Sequence, residues 1–499
     1  MSGKAGRYIF ITAVIAACLI PSAGMIIFGE SQAAANEILA QRPALTDDNG
    51  KLNKNIAEDV TDYIADRSAF RQQFITAYAK LQACVFGESA SDKVLLGKSD
   101  GTDRWLYYSK TEDDWLHRGV MSDMQVNNAA HTLALMQEYA ASQGTKLVFT
   151  VAPNKNSVYP QYMPYIGERS GDVKNLDKLV PALEKAGVNY ADLVSSLSEM
   201  SDAGSGHPLY HRLDSHWTAL GAAVGYETIA DALGIHYHDW LDEKYDYEKV
   251  HKGDLYEMLY PAGKELDIDV VFDKKFDFGY LQESVNYAGE SVYEPSGVSY
   301  GDADAPPYNS ITIDTFKNTD DTASSAGNKA DKRYSLLMFR DSFGNALYPF
   351  MADTFERATF SRQTPYRIDR LSGGEYTYCV VEIVERNISE LSFKAPVMPA
   401  LQREASDAAE GVSVSGDDID VSYEDPCDIA GYVKMSGIVD KKLLSGYSAG
   451  YRLLIKSGDS YYEASPVGAD DEGQYAEGTF TAYVPAEIAG AGDMSFILV

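Results

Sequence analysis

From residue 146 onward the chain alternates short apolar strands with helical segments, and this alternation limits the fold more than any other feature of the sequence. Lys146-Leu147-Val148-Phe149-Thr150-Val151-Ala152 is an apolar run of strand length, the spacing over 176–186 predicts a helix, and 188–193 predicts a second short strand. Strand, helix, strand in that order calls for a crossover, so the expected architecture is α/β, a parallel sheet flanked by helices. Residues 218–233 predict a helix rich in Ala and Gly that can pack closely on a sheet, stopped by Gly234. Strands over 335–339 and 376–384 continue the pattern, the second followed by a helix starting near Arg386.

On the N-terminal side, 53–86 places Ile56, Val60, Tyr63, Ile64, Phe70, Phe74, Ile75, Tyr78 and Leu81 at helical spacing. Asp66-Arg67-Ser68 divides them into two helices. Val94 to Gly97 and Trp105 to Tyr108 flank Asp100-Gly101-Thr102-Asp103 as a hairpin, and 127–142 predicts another helix, ended by Gly144. Residues 240–330 read as a long insertion with exposed loops at 296–307 and 318–332, and 401–499 as a small all-β region. The expected division is thus 1–35, 36–400 and 401–499.

The first of these is set apart by charge. Lys4 and Arg7 precede Tyr8 to Phe28, a run of 21 uncharged residues, long enough as a helix to cross a bilayer about 30 Å thick. The basic tip stays in the cytoplasm, so the rest is expected outside it, anchored to the cell membrane by this helix. Ala33 and Ala35 offer a signal-peptidase site, and cleavage there would give a secreted chain instead. Among 499 residues, 43 Lys and Arg face 74 Asp and Glu, a formal charge of −31 that repels a phosphate backbone and excludes nucleic acid as a natural partner. Four cysteines without ligand spacing indicate neither a disulfide framework nor a metal site, and no cofactor motif is present. His236-Tyr237-His238 lacks supporting ligands and reads as a solvated turn, and His207, His211 and His251 have no partner readable from the sequence. The 35 tyrosines suit a wet, sugar-like surface.

Two segments combine chemistry with a strand-end position, where open α/β sheets place their sites. In Phe339-Arg340-Asp341-Ser342-Phe343-Gly344-Asn345 an apolar strand turns abruptly into a following helix, lifting the Ser342 hydroxyl above the sheet edge. Backbone N–H groups at the turn can hold an oxyanion, Gly344 permits close approach, and Asn345 adds a donor. A serine needs a base steadied by an acid, and Asp214-Ser215-His216-Trp217 can supply both: Asp214 folds back to His216 Nδ1, leaving Nε2 for the serine. Each segment also has a bland reading, as a helix cap beside a surface histidine or as a capping pair after a strand. Trp217 is expected in the core, with a lid over the site as the other reading.

With these residues in view, the chain resembles the alginate O-acetyltransferase family of AlgX/AlgJ type, which includes DHHW-type proteins and has an SGNH-hydrolase-like fold. The resemblance covers roughly 55–395 and runs through Arg67 to Arg71, Phe86-Gly87, Val94 to Lys98, Trp105-Leu106-Tyr107, Val151-Ala152-Pro153-Asn154-Lys155, Tyr210 to Gly221, Gly253-Asp254-Leu255, Arg340 to Gly344 and Glu385-Arg386-Asn387. It implies Ser342 as nucleophile, His216 as general base and Asp214 as its orienter, with Gly344, Asn345, Asn387, Arg340, Trp217 and Lys155 as candidates for substrate or oxyanion binding. Either Asn387 or Asn345 stands in for the family's oxyanion asparagine. Arg340 stands where SGNH proteins often have Gly, and Asp-Ser-His-Trp replaces Asp-His-His-Trp.

The resemblance further implies transfer of acetyl groups to hydroxyls of a cell-surface or secreted polysaccharide through an acyl-serine. The acetyl donor would be supplied by a multi-spanning membrane acyltransferase, and the C-terminal β region would be a carbohydrate-binding appendage. A carbohydrate esterase and a non-catalytic envelope scaffold are the competing readings. The acidic body suits a neutral or cationic glycan better than a polyanion.

Overall fold

The computed structural model describes residues 3–31, 39–46, 50–101, 104–202, 208–276, 280–286, 291–292, 308–314, 335–447, 449–470, 472–489 and 494–499. Its strands up to residue 384 are β1 (Val94–Ser99), β2 (Arg104–Tyr108), β3 (Lys146–Ala152), β4 (Tyr190–Ala191), β5 (Tyr245–His251), β6 (Asp267–Phe272), β7 (Tyr280–Asn286), β8 (Ser291–Val292), β9 (Tyr308–Asp314), β10 (Ser335–Phe339), β11 (Arg357–Ser361) and β12 (Tyr378–Val384). The central sheet has the order β4-β3-β12-β10-β11-β9-β7-β8. From β4 to β11 every pairing is parallel, as the alternating pattern demands. The antiparallel strands β9, β7 and β8 extend that sheet.

Side chains of the central strands alternate between two cores. Val148, Ala152, Leu336, Met338, Val380 and Val384 join the core that includes the helix Ala219–Leu233. Leu147, Phe149, Val151, Leu337, Phe339 and Val381 join the one that includes the helices Asp123–Ser142 and Asn175–Ala186. A strand covered on both faces has no polar side to present, which is why these segments read as continuous apolar runs. Because the strands are parallel, Ala152, Phe339 and Val384 all end on one edge, at the point where β12 inserts between β3 and β10.

Several sequence expectations shift. The helix expected at 127–142 starts at Asp123, because Ser122 and Gln125 form a reciprocal capping box that a search for apolar spacing passes over. The strand expected over 188–193 pairs only at Tyr190–Ala191, and the turn after β12 is a 3-10 segment, Glu385–Ser392, in place of an α-helix. The two helices within 53–86 form as Ile56–Arg67 and Arg71–Leu81, yet Val60, Ile64, Phe74, Tyr78 and Leu81 on their apolar face are exposed. The insertion is less loop-like than expected. It supplies the β5–β6 hairpin, the short helix Asp254–Leu259 and the antiparallel extension of the sheet, while 296–307 and 318–332 lie outside the described residues.

The uncharged run at the N-terminus belongs to a helix, Gly3–Phe28. Among the described residues no helix is long and apolar enough to cross a membrane, and part of this helix's side chains lie outside them. Tyr8, Phe10, Ile26 and Phe28 are exposed, and Phe28 meets Phe70 edge-on at 5.3 Å.

The C-terminal region is mainly β, with a five-stranded and a three-stranded sheet around Met435, Leu453 and Phe480, and differs from the all-β expectation by the single-turn helices Lys441–Leu444 and Ala486–Ala489. Met124, on the helix Asp123–Ser142, completes its core. A buried carboxylate ties the same two parts together. Glu463 accepts from His131 Nε2 at 2.8 Å, from Arg452 Nε at 2.6 Å and from Arg403. Burial raises its pKa, but the bonds from His131 and Arg452 and the neighbouring charges overcome this and hold it well below the usual carboxylate range. Glu463→Gln keeps the shape but removes the charge that Arg452 and Arg403 face, Arg403 keeping Glu138, and is expected to lower stability by about 3 kcal/mol in urea denaturation at neutral pH. A depressed pKa stabilises the fold above the ordinary carboxylate value, so the difference between the two chains should persist at about pH 5 and shrink only in stronger acid.

Candidate active site

The turn after β10 is held by carboxylates on both sides. Asp341 accepts the N–H of Phe343 at 2.8 Å and that of Val384 at 2.7 Å, capping the 3-10 turn Phe343–Leu347 and pinning it to the end of β12. Glu382 on β12 takes the Asp341 N–H at 2.9 Å, and burial, with Asp341 beside it, pushes its pKa well above the ordinary value. Gly344 has a steric reason: a Cβ there would stand 2.6 Å from Arg340 Cβ, so only glycine lets the turn close over that side chain. Ser342 is left at the sheet edge.

His216 arrives from a loop closed by the antiparallel bridge between Tyr210 and Trp217. Its Nε2 lies 2.8 Å from Ser342 Oγ, and its Nδ1 lies 2.7 Å from Asp214 Oδ1. With Nδ1–H donated to the carboxylate, a neutral His216 presents the Nε2 lone pair to the serine hydroxyl. The His216 backbone N–H also reaches Asp214 Oδ1, at 2.8 Å. Beneath the loop the Lys155 ammonium donates to the carbonyls of His211, Arg212 and Asp214 at 2.9, 3.3 and 2.6 Å. Trp217 Nε1–H donates to the Phe343 carbonyl at 3.1 Å and joins the histidine loop to the serine turn.

The insertion completes the arrangement. Asp214 Oδ2 accepts His251 Nε2–H at 2.9 Å and the Asp254 N–H at 2.8 Å. Asp254 in turn accepts the N–H and hydroxyl of Ser215, at 2.8 and 2.6 Å. A Cβ on Gly253 would lie 2.2 Å from the Leu213 carbonyl oxygen, so a glycine is what lets the insertion approach this closely.

These surroundings set the charges. Burial opposes ionisation of Asp214, but the charge and hydrogen bonds of His216 and His251 hold its pKa well below the ordinary value. Burial lowers the His216 pKa, and Asp214 and Asp254 more than reverse this, leaving it raised. Asp254, buried beside Asp214, is pushed up to about 6, and burial pushes Lys155 down to about 8 despite three nearby aspartates. Ser342 and His216 open on a cavity of about 700 Å³ whose wall includes Asn345, His251, Asp269, Phe276 and Phe350.

Of the residues singled out in the sequence, Ser342, His216 and Asp214 come together in one hydrogen-bonded line, and Asn345 shares their cavity. Three others occupy supporting places in the fold. Lys155 is buried under the histidine loop, where all of its donors serve backbone carbonyls, so it is placed to position the loop and not to meet a substrate. Arg340 is buried as well, its guanidinium donating to the Asp341 carbonyl and to Asn345 Oδ1 at 3.1 and 2.6 Å. Trp217 is a core residue with 2% exposure. Asn387, in the 3-10 segment after β12, makes no hydrogen bond to the serine turn or the histidine among the described residues. Asp254 entered the sequence reading only as part of the resembling segment Gly253-Asp254-Leu255 and His251 only as a histidine without a partner, because nothing in their spacing ties them to Asp214, some forty positions away. His207 lies outside the described residues.

Two clusters, His211 with His251 and Asp269, and Asp214 with His216 and Asp254, bring possible metal-ligating atoms within 4.8 Å of one another. Hydrogen bonding accounts for both. The His211 and His251 rings stack 3.8 Å apart at 11°, so their in-plane lone pairs run side by side and do not converge on a point.

Residues 99–269 match the family model described as SGNH hydrolase-like domain, acetyltransferase AlgX, a span that holds Asp214 and His216 but ends before Ser342. The chain is 29% identical over 188 residues to the probable alginate O-acetylase AlgJ of Pseudomonas syringae pv. tomato, covering 37% of this chain and 43% of that one. To the probable alginate O-acetylase AlgJ of Pseudomonas aeruginosa it is 26% identical over 206 residues, covering 40% and 46%. It therefore spans under half the length of these curated relatives. A DHHW family protein from Eubacterium siraeum is similar at 16% identity and a TM-score of 0.41, over 60% of this chain and 93% of that one. The chain is thus similar to proteins of AlgX/AlgJ type, and its residues 99–269 to the SGNH hydrolase-like domain of AlgX.

Proposed function

We propose that this protein is a serine acyltransferase that moves acetyl groups onto hydroxyls of a polysaccharide. The observation that carries the proposal is the unbroken line from Ser342 Oγ to His216 Nε2 at 2.8 Å and from His216 Nδ1 to Asp214 at 2.7 Å, at the mouth of a cavity. A serine beside a half-buried imidazole and its buried carboxylate has no structural task that a scaffold requires, since an apolar pair would fill the space without the desolvation cost. The relatives named as alginate O-acetylases support acetyl transfer as the reaction.

In this reading His216 takes the Ser342 proton as the oxygen attacks the acetyl carbonyl. It then returns that proton to the leaving group, which departs and leaves an acetyl-serine. A sugar hydroxyl next gives its proton to His216 and attacks the same carbonyl, and Ser342 Oγ leaves with that proton. The oxyanion needs N–H donors at the serine turn. Phe343 N–H is taken by Asp341 and Asn345 N–H by the Ser342 carbonyl, so the Ser342 N–H and the side-chain amide of Asn345, which lines the cavity beside the serine, are assigned to it. Arg340, bonded to Asn345 Oδ1, fixes the carbonyl end of that amide. Water in place of the sugar would make the same site an esterase, so the acceptor decides between the two.

The net charge of −31 favours a neutral or cationic glycan as acceptor. An extracytoplasmic location, with anchoring by the helix Gly3–Phe28, rests on its uncharged run and its exposed apolar side chains. The acetyl donor is then a membrane acyltransferase working beside it.

The test is p-nitrophenyl acetate turnover by the full-length chain in detergent, with mass spectrometry for an acetyl adduct on Ser342. Ser342→Ala should reduce the rate to background and abolish the adduct; an unchanged rate would remove the proposal. Supplying neutral, cationic or uronate oligosaccharides and looking for acetylated sugar separates transfer from hydrolysis and identifies the glycan class. Because the His216 pKa is raised and the base must be neutral, activity should climb as pH rises through a midpoint above the ordinary histidine value of about 6.5. Asn345→Ala is expected to lower kcat by about 100-fold with little change in KM. Lys155→Met, which strands three carbonyls under the histidine loop, should lower kcat at least about tenfold and also lower the urea midpoint, the mark of a positioning residue.

A further inference from the structure

We propose that His251 is a positioning residue that sets the base strength of His216 through the carboxylate the two histidines share. The inference builds on the acyl-transfer reading given above. Asp214 Oδ1 serves His216, while Oδ2 accepts His251 Nε2–H at 2.9 Å. One carboxylate therefore sits between two imidazoles, each able to carry a proton. Sharing is built into the fold, because His251 ends β5 and is held there by the approach of Gly253 to Leu213 and by the Asp254 N–H on the same Oδ2.

The carboxylates facing His251 favour a proton on it. Asp214 accepts its Nε2–H, and Asp267, its partner across the β5–β6 hairpin, and Asp269 come from β6, while Lys275 lines the same cavity. The His251 ring lies flat on His211, which burial and the charge of His251 push down to about 3 and so keep neutral. A neutral ring can lie against an imidazolium without charge repulsion. Burial lowers the His251 pKa, but its bond to Asp214 and the aspartate charges raise it above the ordinary value.

A proton on His251 cancels part of the field that Asp214 exerts on His216. His216 then sheds its own proton at a lower pH than it would beside an unshared aspartate. It is a weaker base as a result, but it is available as a base over a wider pH range. The shared carboxylate therefore exchanges some base strength for activity nearer neutrality.

The test compares His251→Gln and His251→Leu with the full-length protein. Glutamine keeps an N–H donor in place of Nε2 and cannot take a charge. The acid limb of kcat/KM for p-nitrophenyl acetate should move to higher pH by about one unit, with the plateau within about threefold of the parent. Leucine removes the donor and should lower the plateau by at least about tenfold. The His216 ring titration, followed by NMR in a Ser342→Ala background, should shift upward by the same amount in His251→Gln. An acid limb and a His216 titration both unmoved by glutamine would overturn the inference. Retention of turnover by Ser342→Ala would sink the acyl-transfer reading instead, and the NMR titration would still decide the role of His251.

Discussion

A carboxylate buried as deeply as Asp214 must regain from the protein the hydrogen bonds it loses from water, or the fold pays several kcal/mol. Four N–H groups supply them: the backbone and ring of His216, the ring of His251 and the backbone of Asp254. These donors come from two stretches of chain, the loop after residue 209 and the insertion that begins with β5. The negative charge that makes His216 basic is thus also the point at which the insertion is fastened to the parallel sheet, and the chemistry and the architecture share one buried group.

The serine side is organised by the same logic with the opposite charge balance. Asp341 holds the turn to β12 through two backbone N–H groups, and the pKa of Glu382 beside it is raised by its burial and by the neighbouring Asp341 carboxylate. Arg340 passes beneath the turn and fixes one end of the Asn345 amide. Trp217 bridges the two halves, with its indole N–H on the Phe343 carbonyl. Ser342 and His216 are therefore positioned by strand ends and buried polar bonds rather than by loop packing alone, which favours a constant separation between them.

The parallel core was legible because strands covered on both faces must be apolar throughout, and β3 and β10 have the bounds that the sequence pattern predicts. Ser342, His216 and Asp214 were legible for a related reason: a serine on a strand-to-helix turn and an acid two residues before a histidine each carry a local signature. Lys155 and Arg340 were legible only as residue types. Their side chains could have faced a ligand, and long-range packing turned both inward onto backbone carbonyls and a neighbouring amide. The apolar face on 56–81 illustrates the reverse case, since helical spacing predicted the helices but gave no information on whether anything covers them.

The sequence by itself determined the alternation of strands and helices, the strand-end places of the reactive residues and the charge of the surface, because each follows from local periodicity or composition. The tertiary structure alone decided that His251 and Asp254 belong beside Asp214, that the 240–330 insertion extends the sheet, and that Glu463 ties the C-terminal region to the helix Asp123–Ser142. Those contacts join residues about 40 to more than 300 positions apart. They satisfy buried charges, a requirement that no spacing along the chain records and that only close approach in space can meet.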